Sequence, residues 1–207
     1  MTRKLSNVIG LGWKSATVGL HSVGNISVTA SGTGIVLPPI VIGAIVNREN
    51  TVEEGSLIDV LEPAWKEIGR IARESPDELF QFTPEQWEEI VAASYKKAGY
   101  DEVILTPRSG DFGRDVIAVK RGWGSIRIID QVKAYKPGHL VTANDVRSLS
   151  GVLNGDRSAS KGIITTTSDF APLIVKDPFI APFLPFRLEL INGALLFKRL
   201  ADLASET

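Results

Sequence analysis

Asp115, Gln131 and Lys133 stand out in the stretch GRDVIAVKRGWGSIRIIDQVKAYKPG, residues 113–138. Two apolar runs, DVIAVK and IRIIDQVKAY, flank a Gly-rich turn, which is the pattern of a β-hairpin. Gln131 and Lys133 are two apart, so on a strand they share one face, and Asp115 opens the neighbouring strand. A carboxylate and an amide carbonyl are hard oxygen donors of the kind Mg2+ accepts, with water and phosphate oxygens completing the shell. A lysine beside such a cation can orient an attacking water or relieve it of a proton. These are the parts of metal-assisted phosphodiester hydrolysis. Each residue taken alone also has a structural use. Asp115 could end the turn after Gly113, Lys133 could snorkel from a strand edge, and Gln131 could satisfy a backbone group.

The elements that must position this hairpin follow from periodicity. Residues 1–53 read as β-rich, with VIGLGW, NISVTA and IVIGAIV as short runs between glycines and prolines. From about Glu54 the period turns helical, with Leu61, Trp65, Ile68 and Ala72 on one face and Pro63 kinking or restarting the helix. A second helix opens at Thr83-Pro84-Glu85-Gln86 with a capping box and stops at Gly99. Trp87, Ile90, Val91, Ser94, Tyr95 and Ala98 form its inner stripe. On that wheel Glu89 points away, and Glu88 sits at the edge, able to look into a cleft beside the core.

After residue 84 the expected order is α-β-β-β-α-β-loop-β-α, a mixed sheet with helices on its faces. The strands are EVILT, the two hairpin runs, GIITTTS and FRLELIN. A helix near 144–153 opens at Thr142 or Asn144, a Pro-rich loop spans 171–185, and a terminal helix covers 194–203. The division is therefore 1–80, β-rich with a helix and of unassigned role, and 81–207, the domain that holds the hairpin.

Composition narrows the chemistry. The 207 residues include no cysteine and only His21 and His139. Thiol nucleophiles, Cys-based zinc and iron–sulfur sites and a multi-histidine metal site are thereby excluded. The net charge of −1 gives no global reason to expect nucleic acid. Residues 107–136 nonetheless carry seven basic groups against three aspartates, a local positive field able to hold phosphates. Arg114, beside Asp115, and Lys136, just past the second strand, are the cations best placed for that. No membrane partner is expected. The most apolar stretch, IVLPPIVIGAIV, is 12 residues long with two prolines inside it, whereas a span needs about 20. The early segment TVGLHSVGNI is also a poor secretory signal, and a cytoplasmic protein is expected.

The spacing Asp-x15-Gln-x-Lys on adjacent strands resembles the core of the PD-(D/E)xK nucleases, and specifically their Mrr-like branch, where Gln replaces the second acidic residue. WEEIVAASYKKAGY (87–100) resembles that family's opening helix, SGDFGRDVIAVK (109–120) its first catalytic strand and IIDQVKAY (128–135) its second. VTANDVRSLSGVL, KGIITTTSDFAP and RLELINGALL continue the likeness in order through residues 82–204. The resemblance implies a restriction-endonuclease-like α/β fold, with a β-rich N-terminal extension. It implies Asp115 and Gln131 as metal ligands, Lys133 as the catalytic lysine and Glu88 as the helix-borne glutamate that completes the site. Asp111 could assist from the loop. Asp130, of opposite strand parity, should face away. The activity implied is Mg2+-dependent cleavage of DNA, with Mn2+ as a substitute cation.

The chain departs from the family in its first 80 residues, which do not read as the usual winged-helix DNA-reading domain. Sequence specificity and methylation dependence therefore do not transfer. Cutting both strands needs two sites, so a homodimer is plausible. The alternatives are a junction resolvase or repair nuclease of the same fold, an inactive DNA-binding module, and a structural or phage-assembly protein that never meets DNA.

Overall fold

A computed structural model describes residues 43–107 and 113–205 in full. Upstream it describes the backbone of four short strands, which belong to a separate unit, Met1–Ile42. In that unit β1 (Ala16–Val18) pairs antiparallel with β2 (Ile26–Val28), and β3 (Ala30–Ser31) with β4 (Gly34–Ile35). The expected run VIGLGW and the first three residues of IVIGAIV lie outside the described residues.

The second unit, Gly43–Thr207, is built on one seven-stranded sheet. Its strands are β5 (Val46–Val52), β6 (Gly55–Val60), β7 (Glu102–Leu105), β8 (Val116–Lys120), β9 (Ile126–Lys133), β10 (Lys161–Thr166) and β11 (Leu188–Ile191). They lie side by side in the order β11-β10-β9-β8-β7-β6-β5. From β5 to β9 every pair is antiparallel, while β9, β10 and β11 run parallel. The mixed α/β sheet and the element order expected after residue 84 are both observed. The sheet also takes in β5 and β6, which precede residue 81.

Four helices cover the sheet: α1 (Glu62–Glu74), α2 (Pro84–Lys97), α3 (Ala143–Gly155) and α4 (Gly193–Ser205). The helical period begins later than Glu54, because Gly55–Val60 is a strand and Leu61 is the cap of α1. Pro63 does not kink that helix. It sits in the first turn, where its missing N–H has no helical partner to lose. Trp65 and Ile68 are fully buried, and Gly69 lets α1 pack closely on α4: a Cβ there would lie 2.0 Å from Ala204 Cβ. Among the described residues no helix is long and apolar enough to cross a membrane.

Capping sets the two helices nearest the hairpin. Thr83 accepts from the Gln86 amide while Gln86 returns a bond to Thr83 N–H, starting α2 where expected. Thr142 and Asp145 do the same for α3. Such caps contribute about 1 kcal/mol each. The α3 crossover is what lets β10 return parallel to β9. Ile129, Ile164 and Leu188 then pack under Val146, Leu149 and Leu153 of α3, forming the core of that face.

Two tryptophans, Trp65 and Trp87, are core residues as expected, whereas Trp123 is fully exposed at the β8–β9 turn. Gly122 and Gly124 flank it and carry no side chains to cover it.

Candidate active site

Register brings the sequence-distant residues together. Val116 pairs with Asp130 and Ile117 with Ile129, so Asp115, one step before β8, lies level with Gln131. The backbone leaves regular pairing at this step: Asp115 N–H donates to Asp130 O at 3.0 Å. Asp115 Oδ2 in turn accepts from Val132 N–H at 2.6 Å, which holds the carboxylate against β9. Thr106 receives the other edge, with its N–H donating to Asp115 O at 3.2 Å and its hydroxyl to Arg114 O.

Gln131 is 8% exposed, and its Oε1 is buried with no hydrogen-bond partner among the described residues. Gly113, at φ +77°, passes so close that a Cβ there would lie 2.9 Å from Gln131 Nε2. Only a residue without a side chain lets the loop cover the amide in this conformation. Lys133, half-buried, ends β9 level with Thr166 of β10. Its ammonium is one of the lesser influences that hold the Asp145 carboxyl below its ordinary value. Burial raises that carboxyl, and hydrogen bonds from Thr142 are the stronger of the opposing effects. Lys133 therefore lies in the field of the α3 N-terminus. Asp115, Gln131 and Lys133 thus meet at one end of one hairpin.

Asp130 faces the other way, as its parity requires. Its Oδ2 accepts from Tyr95 Oη at 2.7 Å and Thr165 Oγ1 at 2.8 Å. Burial lifts its pKa to about 7, against the pull of those two hydrogen bonds, and the charge of Asp115 adds to the lift. The same burial and the Asp130 charge raise Tyr95 well above its ordinary value. The helix supplying Tyr95 is α2, so Glu88 belongs to an element on this face, not on the Gln131 face. Glu88 is half-buried.

Other expected residues find definite partners. Arg114 pairs with Glu54 at 3.4 Å and Asp156 at 3.7 Å. Lys136 is exposed just beyond β9, near the Tyr135–His139 ring contact of 4.2 Å. Thr166 and Thr167 donate to the carbonyls of Lys133 and Tyr135, so the threonine run ties β10 to β9. Glu89 does not project into solvent as its wheel position suggested. It accepts from Ile45 N–H at 3.2 Å and meets Arg48 at 3.5 Å, because β5 adds a neighbour that a helical wheel cannot contain. Asp111 and Arg108 lie outside the described residues.

Sequence reasoning missed a cluster beside the hairpin. Arg127, at the start of β9, reaches Glu54 at 2.6 Å and Asp156 at 3.5 Å. Nothing local in the sequence signals it, since its members are drawn from the β5–β6 turn, β9 and the end of α3.

The donors present suit a hard divalent cation: a fixed carboxylate, and an amide oxygen without a partner among the described residues. Among the described residues no three His, Asp or Glu side chains gather around one point.

Residues 79–177 match the Mrr catalytic-domain model, described as a restriction endonuclease. Among solved structures the chain is similar to the MspJI restriction endonuclease in complex with a 27-mer oligonucleotide, at 17% identity and TM-score 0.46 over 67% of this chain. It is also similar to AspBHI, a DNA modification-dependent restriction endonuclease, at 19% identity and TM-score 0.42 over 68% of this chain. The chain spans 35% of the length of each. No curated protein matches it significantly. Over residues 79–177 the chain is therefore similar to the Mrr restriction endonuclease family.

Proposed function

We propose that the chain is a divalent-metal-dependent DNA endonuclease, acting in the cytoplasm as a homodimer and hydrolysing phosphodiester bonds. The observation that carries this reading is the buried, unpartnered Gln131 Oε1 beside the Asp115 carboxylate. Burying an acceptor with no donor costs about 1–3 kcal/mol, and a ligand that uses the oxygen recovers that cost. Asp115 and Gln131 are the residues that would hold Mg2+, with Mn2+ as a substitute, and Glu88, from the helix on the other face, would act on that cation from outside its ligand set. Bound there, the cation would supply Lewis-acid stabilisation of charge on the scissile phosphate.

The chain's own residues do the rest. The Val132 N–H fixes Asp115 Oδ2 and so orients its carboxylate. Lys133, two residues from Gln131 on the same face, donates to the attacking water and offsets negative charge on the pentavalent phosphorus. Lys136, exposed past β9, meets the DNA backbone as a point charge. Arg114 could join it only by exchanging Glu54 and Asp156 for phosphate.

Cleavage of supercoiled plasmid tests the reading. Methylated and unmethylated plasmid are each incubated with the protein in Mg2+, with the protein in EDTA, and with Lys133→Ala in Mg2+. Nicking or linearisation confined to the unmodified protein with metal supports a nuclease. Identical lanes on both plasmids count against it, and retention of labelled DNA by the same samples would then favour an inactive DNA-binding module.

A further inference from the structure

Four charged side chains from four separate elements converge beside the hairpin. Glu54 comes from the turn between β5 and β6, Arg114 from the segment entering β8, Arg127 from β9 and Asp156 from the C-cap of α3. Glu54 Oε1 is shared by both guanidiniums, at 2.6 Å from Arg127 and 3.4 Å from Arg114. Asp156 Oδ2 closes the group at 3.5 and 3.7 Å. Asp156 is held from behind by Ser158 N–H at 2.9 Å and the Ser158 hydroxyl at 2.5 Å. The four described charges sum to zero and are mostly enclosed, with Arg127 14% exposed and its Nε buried without a partner among the described residues.

We propose that Glu54 is a positioning residue for Asp115. It clamps Arg114 to Arg127, and so fixes the Gly113–Asp115 segment over Gln131. The segment needs such an anchor. Gly113 is in a left-handed conformation that few residues hold, and pairing with β9 becomes irregular at Asp115. Arg114 lies between the two, so its side chain adds a hold from the Glu54 side to those that Thr106 and Val132 make on this stretch. Glu54 lies upstream of the residues 79–177 that match the nuclease family. The family segment is thus completed by a carboxylate from a strand turn that precedes it.

The inference rests on reading Asp115 as a site residue, and its test includes one readout that does not. Glu54→Gln in the full chain keeps the shape and removes the charge. The Val132 amide, bonded to Asp115 Oδ2, reports the carboxylate's position directly by hydrogen exchange. Its exchange is expected to accelerate roughly tenfold while that of Ile129 stays as in the parent. Mn2+ alone, titrated by its paramagnetic effect on water relaxation, should bind roughly tenfold more weakly. Plasmid cleavage should lose kcat with KM for DNA unchanged. Glu62→Gln, which breaks the exposed pair with Lys97, is the control for losing one ion pair from this unit.

Val132 exchange and Mn2+ affinity equal to those of the Glu62→Gln control would overturn the proposal. So would uniform acceleration of every sheet amide, which reports a structural ion cluster and nothing more. If Glu54→Gln does not fold, Glu54→Asp keeps the charge, shortens its reach and is read the same way. A parent that never cleaves DNA would sink the nuclease reading, and Val132 exchange would still decide the clamp.

Discussion

Strand β9 carries a carboxylate on one face and an amide on the other at consecutive positions, and the two live differently. Asp130 and Gln131 are both buried, and each has one oxygen without a donor. Asp130 has a remedy: with Tyr95 and Thr165 satisfying Oδ2, burial raises its pKa to about 7 and a proton can neutralise the group. An amide has no such option. The oxygen of Gln131 stays exposed to its own desolvation cost until a cation or donor arrives. A buried polar group that a proton can relieve is compatible with pure architecture. One that a proton cannot relieve points to a ligand.

The largest effect that could break this contrast is on Gln131. Gln131→Met keeps the volume and removes the orphan oxygen. Cleavage should fall about a thousandfold, while stability should hold or rise by about 1 kcal/mol. Paired nicking rates and urea melts check this, and a marked loss of stability would mean the amide is structural.

On the opposite face the pattern should invert. Asp130→Ala strands the Tyr95 and Thr165 hydroxyls and should cost about 3 kcal/mol of stability. Hydrogen-bonded architecture on that face would be refuted by an unchanged urea midpoint.

The pH dependence sharpens the same point. The folded-state pKa of Asp130 is raised from 3.8 to about 7, so the native state binds the extra proton between those values. Its contribution to stability is complete below pH 3.8 and is lost as pH rises through about 7. Within that window the parent should lose up to about 1.4 kcal/mol per pH unit relative to Asp130→Asn. Denaturant midpoints of the two proteins at pH 4.5, 5.5 and 6.5, chosen to fall inside that roughly three-unit window, would reveal it. Parallel curves would show that Asp130 is not the group titrating.

The smallest expected effect tests the contribution of the far face to catalysis. Glu88→Gln should reduce cleavage roughly tenfold, partly recoverable with higher Mg2+. A loss as large as that of Gln131→Met would place Glu88 at the centre of the site.

What was legible in the sequence follows the range of the interactions involved. The hairpin, the capping box at Thr83 and the parity of Asp130 against Gln131 are local, and each was read directly, whereas the start of α3 was left between Thr142 and Asn144. The family likeness of the hairpin segments is written in the same short stretches. Illegible were the partners supplied from far away: Ile45 and Arg48 for Glu89, and Glu54 and Asp156 for Arg114 and Arg127. Residues 43–60 are two sheet strands, and no periodicity within them says which sheet they join. The Glu54 cluster needed the whole sheet order before its four charges could be seen as neighbours.

The sheet changes from antiparallel to parallel at β9, and this has a kinetic consequence. The β8–β9 ladder joins strands separated only by a short turn, whereas β10 and β11 must wait for a crossover and a long loop. Asp115, Gln131 and Lys133 sit on the early-closing side of that divide, within a single hairpin. Local closure of this kind is fast, whereas parallel pairing is delayed by the entropy of its connection. A nascent chain can therefore bring these three residues together before α3 has been made, leaving the parallel half to build its wall around a hairpin that has already closed.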